Sequence, residues 1–134
     1  MQNHHPKDIF LTKNLILIFI GGGTGSIARY LIGRYINKPE NLIPYGTLTV
    51  NLLGSLIIGL ILGIALKSNS SHENLTLALA TGFCGGFTTF SAFAFENYIF
   101  LKNGDYMSFI IYSLLSLSIG VLAVFAGVYI AKTI

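Results

Sequence analysis

The sequence predicts an all-α membrane protein with four transmembrane helices in a single domain covering residues 1–134. Of the 134 residues, 53% are hydrophobic and only 10% are charged. Soluble domains carry about 25% charged residues, so this chain cannot cover a water-facing surface in the usual way. Four segments are also long and apolar enough to cross a hydrocarbon core of about 30 Å at about 1.5 Å per residue. They cover residues 15–35, 46–66, 75–101 and 107–131.

The connections between the predicted spans are short and contain turn-forming residues. The first has two prolines, the second reads "KSNSSHEN" from residue 67, and the third is "NGD" at 103–105. A secretory signal is not expected, because "LILIFI" at 15–20 runs into glycines without a cleavage pattern. His4 and His5 are expected to bind nothing, and the single Cys84 cannot form an internal disulfide.

Positive charge is nearly balanced between the two sides of the predicted membrane domain. One side has four lysines, and the other has three basic residues, or four if Arg29 is counted. An excess of Lys and Arg normally fixes which side faces the cytoplasm. Its near absence favours a chain that inserts in both orientations and pairs with an inverted copy of itself. A chain of this size is also too small to enclose much of a pathway alone, so we expect an antiparallel, dual-topology homodimer.

Polar and small residues form stripes on the first, second and fourth spans. Two interpretations remain open for them: tight helix packing with interhelical hydrogen bonds, or a polar pathway. Asn51 has apolar neighbours and must find partners, which could be another helix or an anion. Arg29 is costly in lipid, about 2.5–3.5 kcal/mol on insertion scales, unless it reaches the interface.

The stretch "GFCGGFTTFSAFAFE" at 82–96 is unusual for a segment that only crosses lipid. Its glycines weaken a helix, which predicts a break at the membrane midplane. Broken helices there are tolerated only when buried or lining a cavity, and they expose carbonyls to cations and N–H groups to anions. Gly82, Gly85 and Gly86, followed by Thr88 and Thr89, therefore predict an ion site. The phenylalanines that follow either pack or present their positive ring edges to a small anion.

Three motifs closely resemble those of the Fluc/CrcB fluoride channel family, in the same order and in the first three spans. They are "GGGTGSIARY" (21–30), "GTLTVNLLGSLIIG" (46–59) and "GFCGGFTTFSAF" (82–93). The resemblance implies a small dual-topology channel in the bacterial inner membrane, assembled as an antiparallel homodimer with two pores. Through these pores cytoplasmic fluoride would leave the cell, reducing fluoride toxicity. It also implies a structural sodium ion at the dimer centre.

The resemblance also assigns roles to individual residues. Asn51 matches the pore asparagine, and Phe90 and Phe93 match the phenylalanines whose ring edges face fluoride. Gly85 and Thr88 match the positions whose backbone carbonyls hold sodium, so an inverted partner would complete four ligands.

Further matches extend along the implied fluoride route. The hydroxyl-lined track of the family corresponds to Thr47, Ser91, Tyr112 and Ser116. Arg29 matches a vestibule arginine that would raise the local anion concentration, and Glu96 matches an acidic position near the end of the pore. Two departures leave the outer track in doubt: Ala92 replaces a hydroxyl residue, and Gly120 stands where a third track hydroxyl would follow.

Two other functions remain as alternatives. A small dual-topology multidrug or cation exporter shares the size, but it needs an acidic residue deep in its first span, and 15–35 has none. A structural subunit of a larger membrane complex would use the polar faces as partner interfaces. No catalytic triad, nucleotide loop or His/Cys cluster is visible in the sequence. We therefore expect no enzyme activity and no nucleic-acid partner, only fluoride, lipid and a second copy of the chain.

Overall fold

The computed structural model describes residues 6–67 and 73–134, and within these ranges every regular element is helical. His4, His5 and the loop residues 68–72 lie outside the described residues. Four helical stretches are long and apolar enough to cross a membrane, as predicted: Ile9–Ile36, Tyr45–Lys67, Glu73–Lys102 and Tyr106–Thr133. The protein is therefore an all-α, multi-pass membrane protein.

The spans are built from six α-helices and one π-helical stretch. The first span is α1 (Pro6–Ile36), the second is α2 (Tyr45–Lys67), and the fourth is α6 (Tyr106–Thr133). The third consists of α3 (Glu73–Thr76), the π-helical stretch (Leu77–Cys84), α4 (Gly85–Phe87) and α5 (Phe90–Lys102).

Helix α1 begins well before the first predicted span, at Pro6 rather than at residue 15. The prediction followed the apolar window, which marks only the part that lies in lipid. At 31 residues and about 1.5 Å per residue, α1 is longer than the hydrocarbon core is thick. A helix of this length can keep its first turns, with Lys7 and Lys13, outside that core.

Side chains from the predicted turns close the short connections. Asn37 Oδ1 accepts the backbone N–H of Gly46 at 2.7 Å, which ties the end of α1 to the start of α2. Between α5 and α6, Gly104 adopts a left-handed φ of 73° that favours glycine. Asp105 then caps α6 by accepting the N–H of Ser108 at 3.0 Å, and these hydrogen bonds from Ser108 lower the pKa of the Asp105 carboxyl.

Close helix approach explains several of the glycines in the spans. A Cβ atom on Gly86 would collide with the backbone of Gly22 in α1, and one on Gly127 in α6 would collide with the backbone of Leu56 in α2. Such contacts are how membrane helices associate, because lipid supplies no hydrophobic drive between them. For these residues, tight packing is the correct interpretation of the stripes.

The helical backbone of the third span stops for two residues. Thr88 (φ −81°, ψ 157°) and Thr89 (φ −149°, ψ 111°) are extended, whereas Gly85 (φ −62°, ψ −38°) is ordinary α-helix. We call Thr88–Thr89 the interruption. The sequence predicted a break caused by the glycines, but the break lies at the two threonines, whose extended conformation suits β-branched residues.

Candidate ion pathway

Side chains from α1 and α2 bind the backbone groups that the interruption frees. In a continuous helix the N–H of Thr89 would donate to the Gly85 carbonyl, but here it donates to Asn51 Oδ1 at 2.7 Å. Asn51 Nδ2 donates back to the Thr89 carbonyl at 3.2 Å. The Gly86 carbonyl accepts from Arg29 Nε at 3.0 Å. Asn51 and Arg29, both selected from the sequence, therefore stabilise the interrupted backbone.

Asn51 keeps part of its hydrogen-bonding capacity for another partner. Its amide nitrogen carries two hydrogens, and the bond to the Thr89 carbonyl uses one of them. The side chain is half-buried and lines a cavity. Helix packing and anion binding were alternatives in the sequence, but this geometry allows Asn51 to do both.

The cavity beside Asn51 has a volume of about 440 Å³ and lies between α2, the third span and α6. It gathers most of the residues selected from the sequence. Those that line it are Asn51, Gly85, Thr88, Phe90, Phe93 and Ser116. The Ser116 hydroxyl is buried, lies near the Tyr112 hydroxyl, and has no partner in good hydrogen-bonding geometry among the described residues. An occupant of this cavity could therefore accept a hydrogen bond from it.

Three aromatic rings follow one another along the third span and α6. The ring centroids of Phe90 and Phe93 are 5.8 Å apart, and those of Phe93 and Tyr112 are 5.2 Å apart, both in tilted arrangements. Tilted rings present edges as well as faces to their surroundings. Phe93 is half-buried, whereas Phe90 is 76% exposed in the single chain.

A second cavity of about 460 Å³ lies on the other side of the interruption, and Thr89 lines both cavities. The second cavity is lined by Arg29 and Arg34 as well as by Thr47 and Glu96. Two guanidinium groups against one carboxylate give this cavity an excess of positive charge, which attracts anions.

Glu96 links two of the predicted track hydroxyls. Thr47 Oγ1 donates to one carboxylate oxygen at 2.6 Å, and the Tyr112 hydroxyl donates to the other at 2.7 Å. Thr47 is 6% exposed and Tyr112 is fully buried. In this structure both hydroxyls therefore donate to Glu96. The sequence left Glu96 without a role, although it is the only acidic residue in 75–101.

Ser91 and the two departures from the family track, Ala92 and Gly120, do not line the first cavity. Ser91 is exposed, lines neither cavity, and its hydroxyl lies 3.3 Å from that of Thr89. Ala92 lines the second cavity without offering a donor. Gly120 lines neither cavity; it lies beside Ser55, whose Oγ would be 3.8 Å from a Cβ added to the glycine.

Gly85 and Thr88, whose carbonyls the family resemblance assigns to sodium, differ in their surroundings. A Cβ on Gly85 would meet nothing within 4 Å, so its backbone lies open at the protein surface. Its carbonyl has also lost the Thr89 N–H, which donates to Asn51 instead. The Thr88 hydroxyl donates to the Cys84 carbonyl at 2.9 Å. Neutral carbonyl oxygens in such a position suit a monovalent hard cation.

Four apolar spans around two cavities, with neutral hydrogen-bond donors between them, define a multi-pass membrane protein organised around a small solute or ion. The chain belongs to the CrcB family: residues 16–128 match the family described as "CrcB-like protein, Camphor Resistance (CrcB)".

Relatives similar to the chain carry a more specific name. The "Fluoride-specific ion channel FluC" of Gloeothece citriformis is 49% identical over 120 residues, which cover 88% of this chain and 96% of that protein. A protein of the same name from Leptospira interrogans is 44% identical over 122 residues, covering 90% and 96% of the two chains. The one from Bacteroides fragilis is 44% identical over 124 residues, covering 90% and 97%.

Proposed function

We propose that this chain is a fluoride-specific ion channel, not an enzyme, through which cytoplasmic fluoride leaves a bacterial cell across its inner membrane. The names of the relatives support this function over the exporter and the structural subunit. The observation that carries it in the structure is the first cavity, where Asn51, Phe90, Phe93 and Ser116 meet. None of these side chains is charged, and each has a donor or a positive ring edge to offer.

The chemistry of fluoride explains why such a lining is suitable. Fluoride is small and strongly hydrated, so its passage requires donors that replace water along the route. Conduction also requires that the ion leave each site, which neutral donors permit better than a lysine would. Arg29 and Arg34 line the second cavity but not the first, and they would concentrate anions beside the neutral donors of the first cavity.

The proposal includes an antiparallel homodimer, with the interruption of each chain at the membrane midplane. It is supported by the near balance of Lys and Arg across the membrane. Two further observations favour a partner chain on this side of the molecule: Phe90 is 76% exposed beside the first cavity, and Gly85 is open to its surroundings. A second copy would cover both.

The proposal also includes a structural sodium ion at the dimer centre. The Gly85 and Thr88 carbonyls of one chain supply two oxygen ligands, and an inverted copy would supply two more. The support is the chemistry of the donor set, because neutral carbonyl oxygens suit a monovalent cation better than a divalent one.

Anion efflux from liposomes that contain only this protein tests the function. We expect fluoride efflux, measured with a fluoride electrode, and no chloride efflux above that of empty liposomes. Equal fluoride and chloride flux would refute the selectivity, and no flux of either ion would refute the channel. Fluoride flux that needs an imposed proton gradient would favour a coupled exporter instead.

A further inference from the structure

We propose that Asn97 is a positioning residue that, together with Ser113, holds Phe93 in the ion pathway. Asn97 lines neither of the two cavities described above, and it has no counterpart among the motif residues that assign the family roles. The inference rests on the proposed function, because Asn97 would affect conduction only by fixing the position of Phe93.

Asn97 is a buried amide whose bonds join two helices. It is 7% exposed, one of three polar residues found buried among those the structure describes. Its Nδ2 donates to the carbonyl of Phe93 at 3.0 Å, one turn earlier in α5. Its Oδ1 accepts the Ser113 hydroxyl of α6 at 3.1 Å. The first bond fixes the orientation of the amide, and the second uses that orientation to hold α6.

Helix α5 depends on such contacts because the interruption separates it from the rest of its span. The extended backbone at Thr88 and Thr89 transmits no helical register from α4 to α5. One other hydrogen bond and two ring contacts join α5 to α6, and all three involve Tyr112. Its hydroxyl donates to Glu96, and its ring contacts those of Phe93 and Phe100. The bond of Asn97 to Ser113 reaches the next residue along α6.

The contacts differ in how strictly they define the position of α5. Aromatic pairs are favourable over centroid distances of about 4.5–7 Å, so the rings at 5.2 and 6.0 Å tolerate rotation and sliding. A hydrogen bond weakens outside a window of about 2.7–3.2 Å. Because Phe93 and Asn97 are four residues apart, they lie on the same face of α5. A rotation that breaks the bond to Ser113 therefore also moves the Phe93 ring.

Asn97 also allows a cleaner test than the other polar contact of α5 with α6. Glu96 lines the second cavity, so a change there alters the lining of the pathway as well as the position of α5. A change at Asn97 alters the position alone.

The test compares four single variants of the full-length chain, and the double variant Asn97→Leu with Ser113→Ala, in liposomes. Asn97→Leu keeps the size and removes both bonds, and Ser113→Ala removes one hydroxyl. Ser113→Thr restores a hydroxyl, and Tyr98→Phe removes a hydroxyl from the neighbouring position, which is 55% exposed. We expect the fluoride flux to fall about 5- to 30-fold in Asn97→Leu, the factor that corresponds to losing one or two kcal/mol. Ser113→Ala should lower it in the same direction, and the double variant should be no worse than Asn97→Leu. The fluoride flux should stay at the wild-type value in Ser113→Thr and Tyr98→Phe.

A second measurement does not depend on conduction. With 4-fluorophenylalanine at position 93, the ¹⁹F spectrum reports the surroundings of that ring, and we expect the resonance to broaden or split in Asn97→Leu and in Ser113→Ala. A lowered thermal midpoint with an unchanged fluoride flux and an unchanged resonance would show a merely structural role and overturn the inference. If Asn97→Leu does not fold, Ser113→Ala still decides by the same criteria. A wild-type chain that conducts no fluoride refutes the proposed function, whereas the ¹⁹F spectra continue to test the positioning.

Discussion

Asn51→Asp separates the role of Asn51 in anion passage from its role in holding the backbone. An aspartate can still accept the Thr89 N–H that now lies 2.7 Å from Oδ1, and this bond becomes charge-assisted. It loses the 3.2 Å bond from Nδ2 to the Thr89 carbonyl, so the two changes partly offset. We therefore expect a folded dimer. Asn51→Leu would instead leave both Thr89 groups without a partner, at about 1–3 kcal/mol each if they are buried.

The effect of Asn51→Asp on fluoride comes from its charge. A carboxylate about 4 Å from the ion repels it by about 4 kcal/mol at an effective dielectric constant of about 20. Since about 1.4 kcal/mol is a factor of ten, fluoride flux should fall about a thousandfold. The assay is liposome efflux with protein that elutes as the wild type does. Asn103→Asp is the matched control, because it adds the same charge in the exposed turn after α5 and should conduct normally. Wild-type flux from a correctly assembled Asn51→Asp dimer would show that Asn51 only packs.

Four further predictions concern orientation, the dimer centre and helix packing. Two lysines added within 68–71 should bias insertion to one orientation. This variant alone should lose flux and should regain it when an oppositely biased variant is present. A wild-type chain whose C-terminal cysteine is labelled from one side of the membrane only would contradict dual topology. Exhaustive removal of sodium should abolish flux or dissociate the dimer, and adding sodium should reverse the effect; full flux without sodium would count against the central site. Gly85→Val should weaken dimerisation without disturbing the four spans, because a side chain there meets nothing within its own chain. A Gly85→Val dimer of unchanged affinity would also count against the central site. Gly86→Ala should lower the free energy of unfolding by about 1–3 kcal/mol through overpacking against Gly22, measured by thermal unfolding. Gly23→Ala is the control, because a Cβ atom there meets nothing within 4 Å; equal thermal midpoints for the two variants would disprove the close approach.

The fold could be predicted from the sequence because span length and apolarity are local properties. The four predicted spans lie within the four helical stretches of the structure. The grouping of Asn51, Phe90, Phe93 and Ser116 around one cavity also agrees with the roles that the motifs imply. The dimer, the sodium ion and the roles in conduction stay predictions.

What the sequence did not indicate depends on contacts between distant residues. The bond from Arg29 to the Gly86 carbonyl spans 57 positions, and that from Thr47 to Glu96 spans 49. The interruption lies at Thr88 and Thr89 rather than at the glycines, and one local signal could have located it. Thr89 accepts the N–H of Ala92 and so caps α5, and threonine is a favoured residue at the start of a helix.

The two halves of the third span are attached to different neighbours, and this has a consequence for synthesis. The π-helical stretch and α4 pack against α1, which precedes them in the chain, whereas α5 packs against α6, which follows it. Because a chain is made from its N-terminus, at about 5–20 residues per second, the first half of the span finds its partner already in the membrane. Before α6 is inserted, α5 has the bond of Glu96 to Thr47 of α2, and Asn51 holds Thr89 just ahead of it. The contacts of Phe93 with Tyr112 and of Asn97 with Ser113 therefore form only after α6 has been translated. In a nascent chain that stalls before α6, the first half of the third span has its partner and the second half does not.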